Sequence, residues 1–378
     1  MNLLIVQRRL THYRVPFFER LKESLSQDDI NLTLVIGKPN SEEIKKNDGG
    51  EISWAKKVPC NYFFKNKICK MDFSGIAKNN THLILTQENK LIDNIGYLCQ
   101  QKNNRTALWG HGKNFQSTEI TPTLADGIKN SLSRRADWWF AYTELSEKTI
   151  SDIGYPKERI TILNNSIDTE KLKKDFQESQ KKNKQNLKIE LGLHPDAVVG
   201  IFIGSLYKEK LPELLIESCE KIKQKFQNFE LVVVGDGPMI GFFQEKKKLL
   251  PWIHVLGTLK GTKKTDALAC ADVMLNPGLV GLGILDSFTT GTPIITTDCK
   301  IHSPEICYLK NKSNGLFVAK ESSAVASAFE ELMNNKNLYS TISKNCLISS
   351  DFYSLQKMVA NFRHGVNLWK KSNPKNNK

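Results

Sequence analysis

Short apolar runs alternate with amphipathic stretches along most of the chain. In the first half, residues 3–6, 32–36, 82–85, 106–109, 138–142 and 160–163 are apolar runs of strand length. Between them, residues 15–26 set Phe17, Phe18, Leu21 and Leu25 at helical spacing, and residues 90–101 and 124–134 read as further helices. The second half repeats the scheme. Strands are predicted at 198–203, 231–234, 253–256, 273–275 and 293–297, helices at 211–226 and 283–290, and helices over most of 321–369. Strand–helix alternation of this kind predicts parallel βαβ units, because a parallel neighbour needs a crossover and a helix is the usual one. The fold class is therefore α/β, with two consecutive Rossmann-like domains.

The periodicity lapses between residues 164 and 188. The stretch KLKKDFQESQKKNKQNLK at 171–188 holds few apolar residues, and such a run reads as solvated surface or linker. The junction is placed there. Residues 1–165 form the first domain, 190–350 the second, 351–369 a C-terminal helix and 370–378 a flexible tail. With 378 residues, two domains of ordinary size are the natural division.

Composition alters the picture mainly through charge. The net charge of +14 suits nucleic acid, an anionic membrane surface or a phosphorylated substrate. The lysines are scattered among acids and no aromatic–basic motif accompanies them, so no nucleic-acid partner is expected. Eight cysteines occur without CxxC spacing, which argues for reduced thiols and against a zinc site. The start MNLLIVQRRL lacks the pattern of a signal peptide. No run reaches the roughly 20 apolar residues of a membrane span. The expected location is cytoplasmic, with any membrane contact peripheral and at the inner face.

In open parallel sheets, ligands bind outside the carboxyl ends of strands. Three stretches at such ends carry chemistry. The first is LNPGLVGLGILDSFTTGTP from Leu275, where Gly278, Gly281 and Gly283 precede a helix and Asp286 lies in its first turn. Glycines let backbone N–H groups approach a phosphate, and a carboxylate there suits the vicinal hydroxyls of a ribose. A tight turn whose Asp286 merely favours the helix dipole fits equally well. The second is VVGIFIGSLYKEKLPELL, in which Gly204 and Ser205 end a strand and Lys210 stands before a helix, within range of a diphosphate or simply on the surface. The third is WGHGKN, where glycines bracket His111 and are expected to leave its ring exposed. No GxGxxG opens the first strand–helix unit, which reads QRRLTHYR, and no P-loop occurs.

In this order the stretches resemble glycosyltransferase family 4, the retaining GT-B enzymes. The likeness runs from Tyr13-Arg14-Val15-Pro16-Phe17-Phe18 through Arg135-Ala136-Asp137, Asn164-Asn165-Ser166-Ile167-Asp168, IGSLYKEK, VVVGDGP and CADVMLNPG to the helices beyond Asp351. The resemblance implies two Rossmann-like domains facing across a cleft, with the C-terminal helix returning to the first. It implies metal-independent transfer of a hexose-like sugar from a nucleotide diphosphate, UDP or GDP, with no cofactor. The acceptor is then a glycan or lipid-linked molecule, as in bacterial cell-surface polysaccharide synthesis.

The resemblance makes Lys210 the diphosphate anchor and Asp286 the ribose ligand. Gly281, Leu282 and Gly283 become the backbone that meets phosphates or sugar, with Gly204, Ser205 and Gly278 beside them. His111 becomes the residue facing the donor sugar, so Lys210 and His111 are the catalytic candidates. His12 and Arg14, in the basic loop at 7–14, are acceptor candidates, and that loop with Arg134 and Arg135 is the surface expected to meet an anionic membrane. Two departures stand out. Gly278 occupies the position of an acid in many relatives, and Ser205 that of an arginine. They motivate the alternative of a non-catalytic GT-B protein that binds a nucleotide sugar or supports a partner enzyme.

Overall fold

A computed structural model describes residues 1–45, 48–88, 90–99, 104–112 and 124–374. The chain divides into two compact units, unit 1 from Met1–Ile167 with Leu355–Lys378 and unit 2 from Asp168–Ser354.

Unit 1 contains β1 (Asn2–Gln7), β2 (Asn31–Gly37), β3 (Lys56–Val58), β4 (Cys60–Phe63), β5 (Ile68–Met71), β6 (His82–Thr86), β7 (Arg105–Gly110), β8 (Trp138–Ala141) and β9 (Ile160–Ile162). Seven of these form a parallel sheet in the order β3-β2-β1-β6-β7-β8-β9. Strands covered on both faces bury every position, hence runs such as WWFA in β8. The apolar spacing of Val15–Ser26 buries Phe17, Phe18, Leu21 and Leu25 against one face. The same core takes Leu355, Met358, Phe362, Val366 and Trp369 from the C-terminal helix Leu355–Lys371, whose Phe362 stacks on Phe140 at 4.5 Å. Gly365 permits that approach, because a Cβ there would lie 2.5 Å from the Thr161 hydroxyl.

The separate antiparallel hairpin β4–β5 has no counterpart among the predicted elements. Its strands are only four residues long, too short for periodicity to announce. The helix expected at 90–101 spans Asp93–Cys99, and residues 100 and 101 lie outside the described residues.

Unit 2 contains β10 (Val198–Ile203), β11 (Phe229–Val234), β12 (Ile253–Gly257), β13 (Val273–Leu275), β14 (Ile294–Thr297) and β15 (Leu316–Val318), parallel in the order β12-β11-β10-β13-β14-β15. Both sheets have a point where strand order reverses, between β1 and β6 and between β10 and β13. Loops leaving such adjacent strands diverge and open a crevice, so they are where a ligand seats.

The charge run at 171–188 is not a linker. It folds as helices Thr169–Gln180 and Lys184–Glu190 of unit 2. Asp168 and Asn183 cap them by accepting from the N–H groups of Lys171 and Asn186. Leu172, Phe176 and Leu187 supply just enough apolar surface to bury one side. The surrounding lysines meet acids of the same unit, Lys182 with Asp266 at 2.8 Å and Lys184 with Asp272 at 3.0 Å. The expected C-terminal segment also begins too early at 351. Asp351 belongs to the helix Lys336–Phe352 of unit 2, and the returning helix starts at Leu355. Of the expected tail, residues 370 and 371 are helical and residues 375–378 lie outside the described residues.

Candidate functional site

In unit 2 the loops leaving β10 and β13 meet at the switch point. Gly204 and Gly235 bring the β10 and β11 loops into backbone contact. A Cβ on Gly235 would sit 1.9 Å from the Gly204 carbonyl oxygen, and φ is +144° there, where side chains are rarely tolerated. The Leu206 N–H donates to the Asp236 carbonyl at 2.9 Å, and the Met239 N–H returns to the Leu206 carbonyl at 2.9 Å. The chain then makes one 3-10 turn, Lys208–Lys210, and enters the helix Pro212–Lys225 through Leu211 at φ +54°.

This turn lies directly on Gly278. A Cβ at that position would be 2.2 Å from the Lys210 carbonyl carbon and 2.5 Å from the Glu209 oxygen. Gly278 is therefore glycine because the Glu209–Lys210 backbone fills the side-chain space. The Glu209 carbonyl accepts from the Leu279 N–H at 2.8 Å, and Lys210 Nζ donates to the Leu279 carbonyl at 2.5 Å. Burial lowers the Lys210 pKa to about 8, since a shielded ammonium loses hydration.

A second brace comes from His302. The Val280 N–H donates to His302 Nδ1 at 3.0 Å, and the Thr297 carbonyl lies 2.8 Å from Nε2. A carbonyl only accepts, so Nε2 carries the proton and the ring is neutral. Burial lowers the His302 pKa, and Lys210 acts in the same sense. The Ser303 N–H donates to the Val280 carbonyl at 2.9 Å. All four backbone polar groups of Leu279 and Val280 are thus engaged, and the glycine-rich turn Gly281-Leu282-Gly283 follows from a fixed base. Ser205, in the β10 loop, is exposed.

Asp286 is only 4% exposed and lies in the first turn of Ile284–Thr290. Its Oδ1 accepts from Lys264 Nζ at 2.6 Å. Lys264, on the helix Gly261–Cys270, did not stand out among the chain's many lysines.

Unit 1 is organised differently at its strand ends. Arg8 is buried, donates to Glu43 at 2.6 and 2.8 Å, and also pairs with Glu88. Burial disfavours both charges, but the pair outweighs it and holds Glu43 at about 2. Arg9 pairs with Asp48 at 2.5 Å.

Arg14 is 6% exposed, donates to Asn165 Oδ1 at 2.6 Å, and lies 5.2–5.4 Å from the centroids of Tyr13, Trp109 and Tyr142. The loop at 7–14 is therefore not the open basic surface expected of it. Its arginines are held by acids, an amide and aromatic rings. His12 is exposed, with Nδ1 3.2 Å from the Asp48 carbonyl.

His111 is also less open than its flanking glycines suggested. Its ring packs against Tyr142 with centroids 4.3 Å apart. Burial, then the nearby Arg14, lowers its pKa to about 4. The glycines serve the backbone. Gln87 clamps the loop by accepting from the Gly112 N–H at 2.8 Å and donating to the Gly112 carbonyl at 3.0 Å. A Cβ on Gly110 would lie 2.5 Å from Gln87, and one on Gly112 would lie 2.8 Å from Ile150. Residues 113 and 114, the end of the WGHGKN motif, lie outside the described residues.

Residues 197–335, which carry the loops after β10 and β13, match the family Glycosyl transferases group 1. This part of unit 2 is thus similar to that family. Alpha-monoglucosyldiacylglycerol synthase of Acholeplasma laidlawii is 27% identical over 176 residues, 45% of this chain and 43% of that one. The GPI3 subunit of the Saccharomyces cerevisiae phosphatidylinositol N-acetylglucosaminyltransferase is 23% identical over 300 residues, 71% of this chain and 61% of that one.

The chain thus spans about half the length of the curated relatives it matches. The Anabaena protein Alr3699/HepE, solved in complex with UDP, superposes with a TM-score of 0.69 at 13% identity, covering 97% of this chain and all of that one. The fold is GT-B, with two Rossmann-like domains.

The residues missed from sequence are those that brace the candidate loops. Lys264, His302 and Gln87 act on backbone or on a neighbouring charge. A single histidine in TTDCKIHSPE or a single glutamine after a strand carries no periodicity or motif. Among the described residues no cluster of three His, Cys, Asp or Glu is arranged to hold a metal ion. None of their helices is long and apolar enough to cross a membrane.

Proposed function

We propose that this protein transfers a sugar from a nucleotide-diphosphate sugar to a lipid or lipid-linked acceptor, with retention at the anomeric carbon. The observation that carries the reading is the junction of two loops in unit 2. There Lys210, over the Gly278–Leu279 backbone, stands beside the turn Gly281-Leu282-Gly283. In the transfer, the bond from the anomeric carbon to the diphosphate oxygen breaks as the bond to the acceptor oxygen forms on the same face. The acceptor proton passes to the departing phosphate.

Negative charge grows on the diphosphate, and a lysine ammonium with fixed backbone N–H groups stabilises it without rearranging. A Lys210 with a pKa near 8 remains largely charged at neutral pH. Asp286, which accepts from Lys264, would accept from the ribose hydroxyls as well. His111, uncharged at neutral pH because its pKa is near 4, keeps the role that the resemblance implies for it. Metal independence belongs to this proposal.

The neighbouring Anabaena structures with UDP and UDP-glucose favour a uridine nucleotide. The two relatives named above favour a lipid acceptor, since their names describe a diacylglycerol and a phosphatidylinositol product or substrate. A thermal-shift screen across UDP-, GDP-, ADP- and TDP-sugars tests the donor. A ligand of the native state raises the melting temperature with occupancy. UDP-sugars are expected to give the largest rise, and no rise with any of the four sinks the reading.

A second reading, nucleotide-sugar binding without turnover, is favoured by one observation. The backbone over Gly278 leaves no room for the acid many relatives carry there. Release of free nucleotide from a donor by the purified chain distinguishes the two.

A further inference from the structure

Apart from the main sheet of unit 1, β4 and β5 form a two-stranded hairpin with Phe63 opposite Ile68 and Asn61 opposite Lys70. Side chains alternate between the faces of a strand. Cys69 and Met71 point into the core, and Tyr62 points back to Arg8. The other face and the tip are left to Phe63, Phe64, Lys65, Lys67 and Lys70. Phe63 is 47% exposed and Phe64 76%, and the three lysines are exposed as well.

The turn is unusual in its backbone. Phe64, Lys65 and Asn66 are three successive non-glycine residues with φ of +50°, +53° and +65°. A bulky aromatic in this region is disfavoured where asparagine or glycine would serve. The stretch from Asn61 to Met71 contains no acidic residue. Among the described residues neither Lys65 nor Lys67 enters an ion pair.

The hairpin root is fixed firmly. Tyr62 Oη accepts from Arg8 at 3.1 Å and donates to the Lys38 carbonyl at 2.7 Å. Cys60 and Met71 close over Gly37, where a Cβ would lie 2.3 Å from the Cys60 sulfur. The root therefore sits at the carboxyl ends of β1 and β2, the sheet edge from which the Arg8–Arg14 loop also leaves.

We propose that the β4–β5 hairpin docks unit 1 on an anionic lipid bilayer, with Phe63 and Phe64 entering the interface and Lys65 and Lys67 meeting lipid phosphates. Charge complementarity selects the lipid surface: an acid-free tip of paired aromatics ringed by lysines matches an anionic interface. The hairpin takes over the role assigned from sequence to the 7–14 loop, whose arginines are engaged internally. The inference deepens the lipid-acceptor reading and rests on it for its purpose, because docking here would hold the strand ends of unit 1 at headgroup level.

Flotation of the full chain with vesicles tests it, using phosphatidylcholine alone and phosphatidylcholine with phosphatidylglycerol. Binding is expected only with the anionic lipid. The double variant Phe63→Ser/Phe64→Ser is expected to lower the partition at least about tenfold, from the lost apolar burial. Lys65→Glu/Lys67→Glu should lower it at least about 25-fold, at roughly fivefold per charge removed near the surface. Leu249→Ser, equally exposed but in unit 2, should bind as the parent.

A Phe64→Trp variant should show blue-shifted emission on anionic vesicles alone. A parent chain that ignores anionic vesicles overturns the proposal. So do hairpin variants that bind as the parent, or an unshifted tryptophan. A thermal shift with the four nucleotide sugars in vesicle-free solution separates the two inferences. Docking without any shift defeats only the nucleotide-sugar reading, and a shift without docking defeats only this one.

Discussion

The two units solve the same problem with different materials. Each must hold loops at the carboxyl ends of a parallel sheet. Unit 2 does so mainly through backbone. Gly204 meets Gly235, Gly278 lies under Glu209–Lys210, and Leu279 and Val280 are tied by four hydrogen bonds. Unit 1 relies on charged and amide side chains, with Arg8 on Glu43 and Glu88, Arg9 on Asp48, Arg14 on Asn165 and Gln87 on Gly112. A loop held mainly by its own backbone spends a single lysine, Lys210, on its shape. A loop held by arginine side chains has few cations left for a ligand. Positive charge in a sequence is therefore a guide to binding only where something other than that charge builds the loop.

The contrast can be broken most directly at Lys210. Lys210→Ala should lower kcat/KM for donor turnover by about 10²–10³ while the chain stays folded. Steady-state kinetics with circular dichroism checks it, and near-parental turnover would remove the diphosphate role. In unit 1, Arg8→Met should reduce unfolding free energy by about 3 kcal/mol, because it strands Glu43 in a buried site. Urea denaturation reads this, and an unchanged midpoint would mean that the ion pairs are incidental.

Gly278→Ala should destabilise unit 2 by about 1–3 kcal/mol through overpacking and weaken nucleotide binding as the Lys210 turn is displaced. Calorimetric titration with the nucleotide shows whether affinity follows. His302→Phe should cost about 1 kcal/mol by leaving the Val280 N–H unmatched. Its expected signature is a higher donor KM with kcat nearly kept, which a purely structural residue would not single out.

The smallest effect is in pH. Below about 8, Lys210 in the free enzyme is charged; above, it is neutral, so kcat/KM should fall by about half at pH 8 and further beyond it. Stability should move the other way. Between about 8 and the ordinary lysine value of 10.5, the unfolded chain binds more protons than the folded one, so this lysine's contribution to stability rises with pH. Parallel profiles of activity and melting temperature test the opposed signs.

Much of the architecture was legible from the chain. Buried parallel strands need unbroken apolar runs, and residues 3–6, 138–142, 198–203 and 231–234 are such runs. Short elements were not legible, since the four-residue strands of the β4–β5 hairpin are below the length at which alternation has meaning. The charge run at 171–188 misled because three apolar residues, Leu172, Phe176 and Leu187, suffice once helices Gly261–Cys270 and Ile284–Thr290 are there to receive them. Gly204, Gly278, Gly281, Leu282, Gly283, Lys210 and Asp286 were singled out as candidates by their place after strands. The reason for Gly278 could not.

What the sequence determined alone is the alternation of strand and helix, the duplicated α/β plan and the position of the glycine-bearing loops. These depend on neighbours close along the chain. Which partner each cation meets was decided only by tertiary structure. Arg8, Arg14 and Lys210 are equally basic in the sequence. The first two meet an acid and an amide 35 and 151 residues away, while the third lies over a backbone carbonyl 69 residues on. Electrostatic availability depends on distances in space, and the order of residues does not contain them.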